Sequence, residues 1–111
     1  MKKLDHRKLL LVKNLNLEKI ELEQTILRNL LTNDKYARKV AAFLQPEYFE
    51  GVYKNLFREF TLFIAKYNKL PSMEAFKIEI DNGDRLNDAQ YRHAIEILPN
   101  IFTPQPENLE W

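Results

Sequence analysis

Asp81, Asp84 and Asp88 crowd into the stretch DNGDRLND, where three carboxylates are dense enough to raise the question of a calcium loop. An EF-hand loop needs glycine at its sixth position and glutamate at its twelfth. Counted from Asp81, those positions hold Leu86 and Arg92. Turn and cap chemistry accounts for the aspartates instead, because Asp and Asn bond readily to nearby backbone. A phosphate loop needs clustered glycines that let backbone N–H groups approach the anion, with a lysine and a hydroxyl beside them. Gly51 and Gly83 stand alone. Ser72 is the single serine and precedes a helical pattern, so it reads as a cap and not as a nucleophile. His6, in the basic leader, and His93, opposite the apolar stripe of its helix, stand in no triad context and read as solvated. Glu21 and Glu23 are two apart on a helix and do not face each other. The chain by itself is therefore expected to be no enzyme, with no catalytic residue, cofactor or metal.

Rings are the other chemistry on offer. Residues 48–67 read YFEGVYKNLFREFTLFIAKY and hold 7 of the 13 aromatic residues. Tyr53, Leu56, Phe57, Phe60, Phe63, Ile64 and Tyr67 recur at spacings of three and four, while Lys54, Asn55, Arg58, Glu59 and Lys66 take the other side. A base-stacking platform would pair exposed rings with cations on one face. An apolar stripe with a charged back is a helix laid across a core, and Leu56, Phe57, Phe60, Phe63 and Ile64 should be among the most buried residues. Leu62 falls on the polar side and is a candidate partner contact.

Four further segments supply the rest of the core. Ile20, Leu22, Ile26, Leu27, Leu30 and Leu31 mark a first helix; Tyr36, Val40, Phe43 and Leu44 mark a second that opens at an Asp34 N-cap and breaks at Gln45-Pro46. After the aromatic helix, Ser72 caps a helix carrying Met73, Phe76 and Ile80, which should stop near Gly83 in a left-handed cap. Asn87 caps a fifth with Tyr91, Ala94, Ile95 and Leu98, and Pro99 should kink or end it. The string ENLEW after Pro106 looks like the start of another helix. The spacing predicts an all-α chain with a bundle of about five to six helices. Residues 1–17 fit either a helix through Leu4, Leu11 and Leu15 or a short strand through LLLV.

The 111 residues suit one domain, and the absence of cysteine excludes disulfide and thiolate chemistry and fits a reducing cytoplasm. No apolar run approaches the roughly 18 residues of a membrane span. The opening apolar run, Leu9 to Val12, is short and lacks a cleavage site, so the leader is expected to be retained. Charge is unevenly placed. Residues 1–17 carry Lys2, Lys3, Arg7, Lys8 and Lys13 against Asp5, a net +4, so with +1 overall the remainder carries −3. An acidic body makes DNA contact weak and confined to those five tail cations.

The order of signals resembles the N-terminal domain of DnaB-type replicative helicases, phage versions above all. Leu22-Glu23-Gln24-Thr25-Ile26-Leu27 is followed by Leu30-Leu31-Thr32-Asn33-Asp34, Val40 through Leu44, and Gln45-Pro46-Glu47-Tyr48-Phe49. Asn55-Leu56-Phe57 and Lys69-Leu70-Pro71-Ser72 close the series. The resemblance implies a compact orthogonal bundle of that type: a basic extension over 1–17, a helical head over 18–103, and the start of a truncated linker or hairpin helix over 104–111. It also implies a hexameric ring whose ATP-driven motor lies elsewhere in the parent protein. The head then belongs to a collar that supports ring assembly and receives primase, and in some systems a loader. Neighbouring helicase subunits, primase and loader are the expected partners, with Leu62 and Trp111 as contacts, no membrane, and the host cytoplasm as location if phage-encoded. Residues 1–17 have no counterpart in the pattern. Two rival readings are the helicase-binding domain of a primase, which has a related fold, and a small helical DNA-binding regulator. The latter needs a recognition helix rich in Arg, Lys, Asn and Gln, and the fifth helix offers only Gln90 and Arg92.

Overall fold

A computed structural model describes the backbone of residues 6–103 and the side chains of residues 18–103. Helix α1 (His6–Thr32) resolves the ambiguity of the leader in favour of helix from His6 onward. Its inward register is Glu23, Leu27, Leu30 and Leu31, all buried. Ile20 and Leu22, expected in that stripe, are 45% and 59% exposed. Leu22 precedes Leu27 by five residues, about 140° around the helix, and so faces outward. Ile20 keeps the register but lines the rim of a groove instead of the core.

Helix α2 (Asp34–Val40) begins one residue earlier than the expected cap implies. Asn33 is the N-cap, in extended conformation, and its side chain accepts from the Tyr36 N–H at 3.1 Å. Asp34 is the first helical residue, where it meets the positive end of the helix dipole and pairs with Arg38 at 2.8 Å. Ala41–Phe43 then tighten into a 3-10 turn, Leu44 and Gln45 are extended, and Pro46–Tyr48 form a second 3-10 turn. The tighter winding, three residues per turn, carries Phe43 off the buried line of Ala37. Phe43, expected in the stripe, is 78% exposed.

Helix α3 (Val52–Tyr67) is entered through Gly51 at φ 58°, ψ −131°, a conformation that penalises any side chain. It leaves through Asn68 in the left-handed region, whose N–H donates to the Ile64 carbonyl at 2.8 Å. Val52, Leu56, Phe57, Phe60 and Phe63 are buried, whereas Ile64 is half-buried and Tyr67 exposed. Phe49 stacks on Phe57 with ring centres 4.9 Å apart, and Phe63 meets Phe76 edge-on at 6.3 Å. These geometries add to area burial. The phenylalanine rings are core, as the spacing implied, whereas the tyrosines of the stripe lie at its edge.

Helix α4 (Met73–Gly83) starts at Ser72, whose hydroxyl accepts from the Ala75 N–H at 3.1 Å. Its left-handed cap is Asp84 at φ 52°, not Gly83. Helix α5 (Asp88–Phe102) opens on a reciprocal cap: Gln90 N–H donates to the Asn87 side chain at 2.8 Å, and Asn87 N–H to the Gln90 side chain at 3.0 Å. Pro99 neither ends nor interrupts α5, which continues to bury Ile101 and set Phe102 against Phe76. α3 packs against α1, α4 and α5, while α1 also meets α2 and α5. The described residues form an all-α bundle. The ENLEW segment, Trp111, Lys2 and Lys3 lie outside them.

Phe60 is 1% exposed at the middle of α3. Phe60→Ala should cost about 3–5 kcal/mol in denaturant melts. A loss below about 1 kcal/mol would place the stripe at a surface.

Candidate docking surface

Leu62 lies between the buried ridge of α3 and solvent, 45% exposed. A shallow depression of about 310 Å³ surrounds it, lined by Glu59, Phe63, Ala65, Lys66, Glu79 and Arg85. Two ion pairs hold the walls of this depression. Glu59, assigned by spacing to the solvated side of α3, is instead 4% exposed. It precedes Phe63 by four residues and follows Leu56 by three, so the helix delivers it inward. The Arg85 guanidinium grips it with two parallel bonds, Nε to Oε2 at 2.9 Å and Nη2 to Oε1 at 2.7 Å. A carboxylate buried that deeply needs a charged partner. Hydrogen bonding to Glu59 holds the Arg85 proton more tightly than in a free arginine, against the opposing effect of burial.

Gly83 has its own part in this pair. A Cβ built there would stand 2.5 Å from the Arg85 guanidinium carbon and both terminal nitrogens. The guanidinium therefore crosses the end of α4 where only glycine leaves room, and Asp84 in the left-handed region turns the chain so that Arg85 can do so. The glycine matters for a close approach rather than for its dihedral angles.

On the other wall, Glu79 accepts from the Tyr67 hydroxyl and lies 3.4 Å from Lys66 Nζ, which also sits 5.2 Å from the Tyr67 ring centre. The Tyr67 hydrogen bond first, then Lys66, holds the Glu79 carboxyl below the ordinary carboxylate range. Lys66 is pushed up by Tyr67 first and then by Glu79. Both carboxylates are engaged by neighbouring side chains. An apolar centre ringed by fixed charges has the anatomy of a protein contact.

The other residues singled out by sequence are dispersed. Asp84 caps α4, Asp88 occupies the first turn of α5, and Asp81 stands beside Tyr91, whose hydroxyl is pushed up by burial first and then by that carboxylate. Among the described residues no group of three or more His, Cys, Asp or Glu could hold a metal. His93 is exposed on α5, about a hundred degrees from Ala94, and lines a separate groove. Arg7, Lys8 and Lys13 lie on α1 by backbone, but their side chains fall outside the described residues. No helix among the described residues is long and apolar enough to cross a membrane.

The chain is 27% identical over 89 residues to a DnaB-like replicative helicase of Enterobacteria phage T4. The matched stretch covers 79% of this chain. The chain spans only 18% of that relative's length. No family model and no solved structure matches it. The relation to DnaB-like helicases is distant, and it agrees with the order of signals read along the sequence.

Arg85→Ala should destabilise the bundle by about 2–4 kcal/mol, because Glu59 would stay buried without a partner. Replacing both residues together, Glu59→Leu with Arg85→Met, should cost less than the single change, and Gly83→Ala should act in the same direction by displacing the guanidinium. Equal losses from the single and double variants would show that leaving Glu59 buried without its partner carries no cost of its own. The pH dependence follows from the exposed groups. Glu50, held down first by its hydrogen bond to Lys19, and Glu79 both have lowered values, so each adds stability above about pH 4.3 that is lost as pH falls. Lys19, raised by Glu50, Lys66, and the partly buried Tyr53 have raised values, so their share is present below about pH 10 and lost above it. Melting temperature should be flat between these limits and fall gently at both ends, since exposed pairs contribute little.

Proposed function

We propose that this chain is an N-terminal collar domain of a DnaB-type replicative helicase, which supports ring assembly and docks primase or a loader during DNA replication. The observation that carries this reading is the similarity to the phage T4 DnaB-like replicative helicase over 79% of the chain. The all-helical bundle supports it, as does a sequence with no phosphate-binding loop for its own nucleotide. Hydrolysis then belongs to another part of the parent protein. The role of this chain is contact.

Leu62 is where that contact is placed. An exposed leucine between the Glu59–Arg85 and Lys66–Glu79 pairs presents an apolar anchor with a charged rim, the arrangement in which a central side chain contributes most of the binding energy.

In the parent reading frame, a phosphate-loop motor downstream is expected; a primase catalytic domain upstream would overturn the reading. Leu62→Asp should weaken binding to the primase of the same genome at least about tenfold while leaving the melting temperature within a few degrees, as surface changes do. Unchanged primase and loader binding would remove Leu62 from the interface. The chain alone should show no saturable ATP binding by calorimetry at roughly micromolar concentration, the usual scale of a dedicated nucleotide site.

A further inference from the structure

Opposite the Leu62 face, a groove of about 490 Å³ opens between α1, the turn before α3, and α5. Its lining includes Lys19, Ile20, Glu23, Glu50, Tyr53 and His93. Glu23 is the unusual member. It is 5% exposed, and its Oε1 accepts the Glu50 N–H at 3.1 Å. No described cation forms an ion pair with it: Lys19 pairs with Glu50 at 2.6 Å and reaches Glu23 only through a longer-range electrostatic attraction. A nearly buried carboxylate with one oxygen satisfied by a neutral donor is an expensive arrangement unless a cation completes it. Tyr53 and Ile20 add a ring and an apolar wall that would suit the stem of a lysine or arginine.

We propose that this groove receives the basic N-terminal segment of a second copy of the chain, with a lysine or arginine of that segment pairing with Glu23. The occupant follows from charge and reach. The first 17 residues carry +4 and the rest of the chain −3, so the complementary cation lies within the same sequence. It cannot come from the same molecule. Helix α1 runs unbroken from His6 past Glu23, which at 1.5 Å per residue separates the two by about 26 Å. The residues before His6, fully extended, span only about 17 Å. Lys13, the nearest of the five cations, is ten residues from Glu23 along the helix, about 15 Å of rise. The helix that presents the carboxylate keeps its own basic end away from it. A segment of one copy in a groove of the next is a head-to-tail contact, which can continue from copy to copy.

The test is sedimentation equilibrium of the full chain at about 50 mM and about 300 mM salt, a range over which exposed charge pairs are progressively screened. The variants are Glu23→Gln and the combined Lys2→Ala, Lys3→Ala. Glutamine keeps an acceptor for the Glu50 N–H, so the fold should survive, which a thermal melt checks. We expect salt-sensitive self-association that each variant weakens about tenfold, with little further loss when they are combined, as for partners in one contact. A chain that stays monomeric at low salt overturns the proposal, as does self-association indifferent to Glu23→Gln. Loss with Glu23→Gln but not with the lysine changes, nor with Arg7→Ala, Lys8→Ala and Lys13→Ala added, overturns the basic segment as occupant and points to another cation. The inference is independent of the collar reading, which a monomeric chain would leave intact.

Discussion

Burial of the α3 stripe is the constraint on which everything else depends. Leu56, Phe57 and Phe60 are at most 1% exposed, and α1, α4 and α5 are each held against that one helix. Large rings bury more area per residue than aliphatic side chains, so a small bundle with no disulfide gains most by concentrating them on its central helix. Phe49 reaches this cluster from the preceding turn by stacking on Phe57, and Phe76 reaches it from α4 against Phe63. Loops between these anchors need only deliver the rings.

The same helix positions the polar features of the surface. Because the stripe is wide, its borders carry side chains that are inward by geometry and charged by type. Glu59 is one, and a remote arginine is therefore drawn across the end of α4 to meet it. Glu23 plays the equivalent part on α1, where a backbone N–H rather than a cation approaches it. The contrast is physical. The Glu59 side has a bidentate arginine partner, while the Glu23 side lines an open groove and feels Lys19 only electrostatically.

Local chemistry was legible in the sequence and distant chemistry was not. Ser72 and Asn87 act as caps because a side chain and an N–H three residues on suffice to define one. The cap at α2 was misplaced by one residue because Asn33 and Asp34 are both competent, and only the backbone of Asn33 is extended. Phe43 was misassigned because the α2 periodicity was carried through a segment that Pro46 and the 3-10 turns had already rewound. Glu59 was set with the charged back of α3 although it lies three and four residues from buried positions, and the burial of Glu23, four residues before Leu27, was not read at all. Their partners lie 26 and 27 residues away, and no local pattern announces such a pairing. The exposure of Leu62 was read correctly because position on a helix face is a local property.

The shape and charge of a surface are well defined only where its side chains are held in place. Surface ion pairs between free-moving side chains contribute little and fix little. Glu59 and Arg85 differ because one partner is buried within the core and the other meets it through two parallel bonds at the end of α4. The pair therefore connects the position of the α4–α5 turn to the packing of α3, and with it the wall of the depression around Leu62. Buried ion pairs often add less stability than apolar residues of the same volume. Here what the pair fixes is geometric: it holds a charge at a set place beside an exposed leucine.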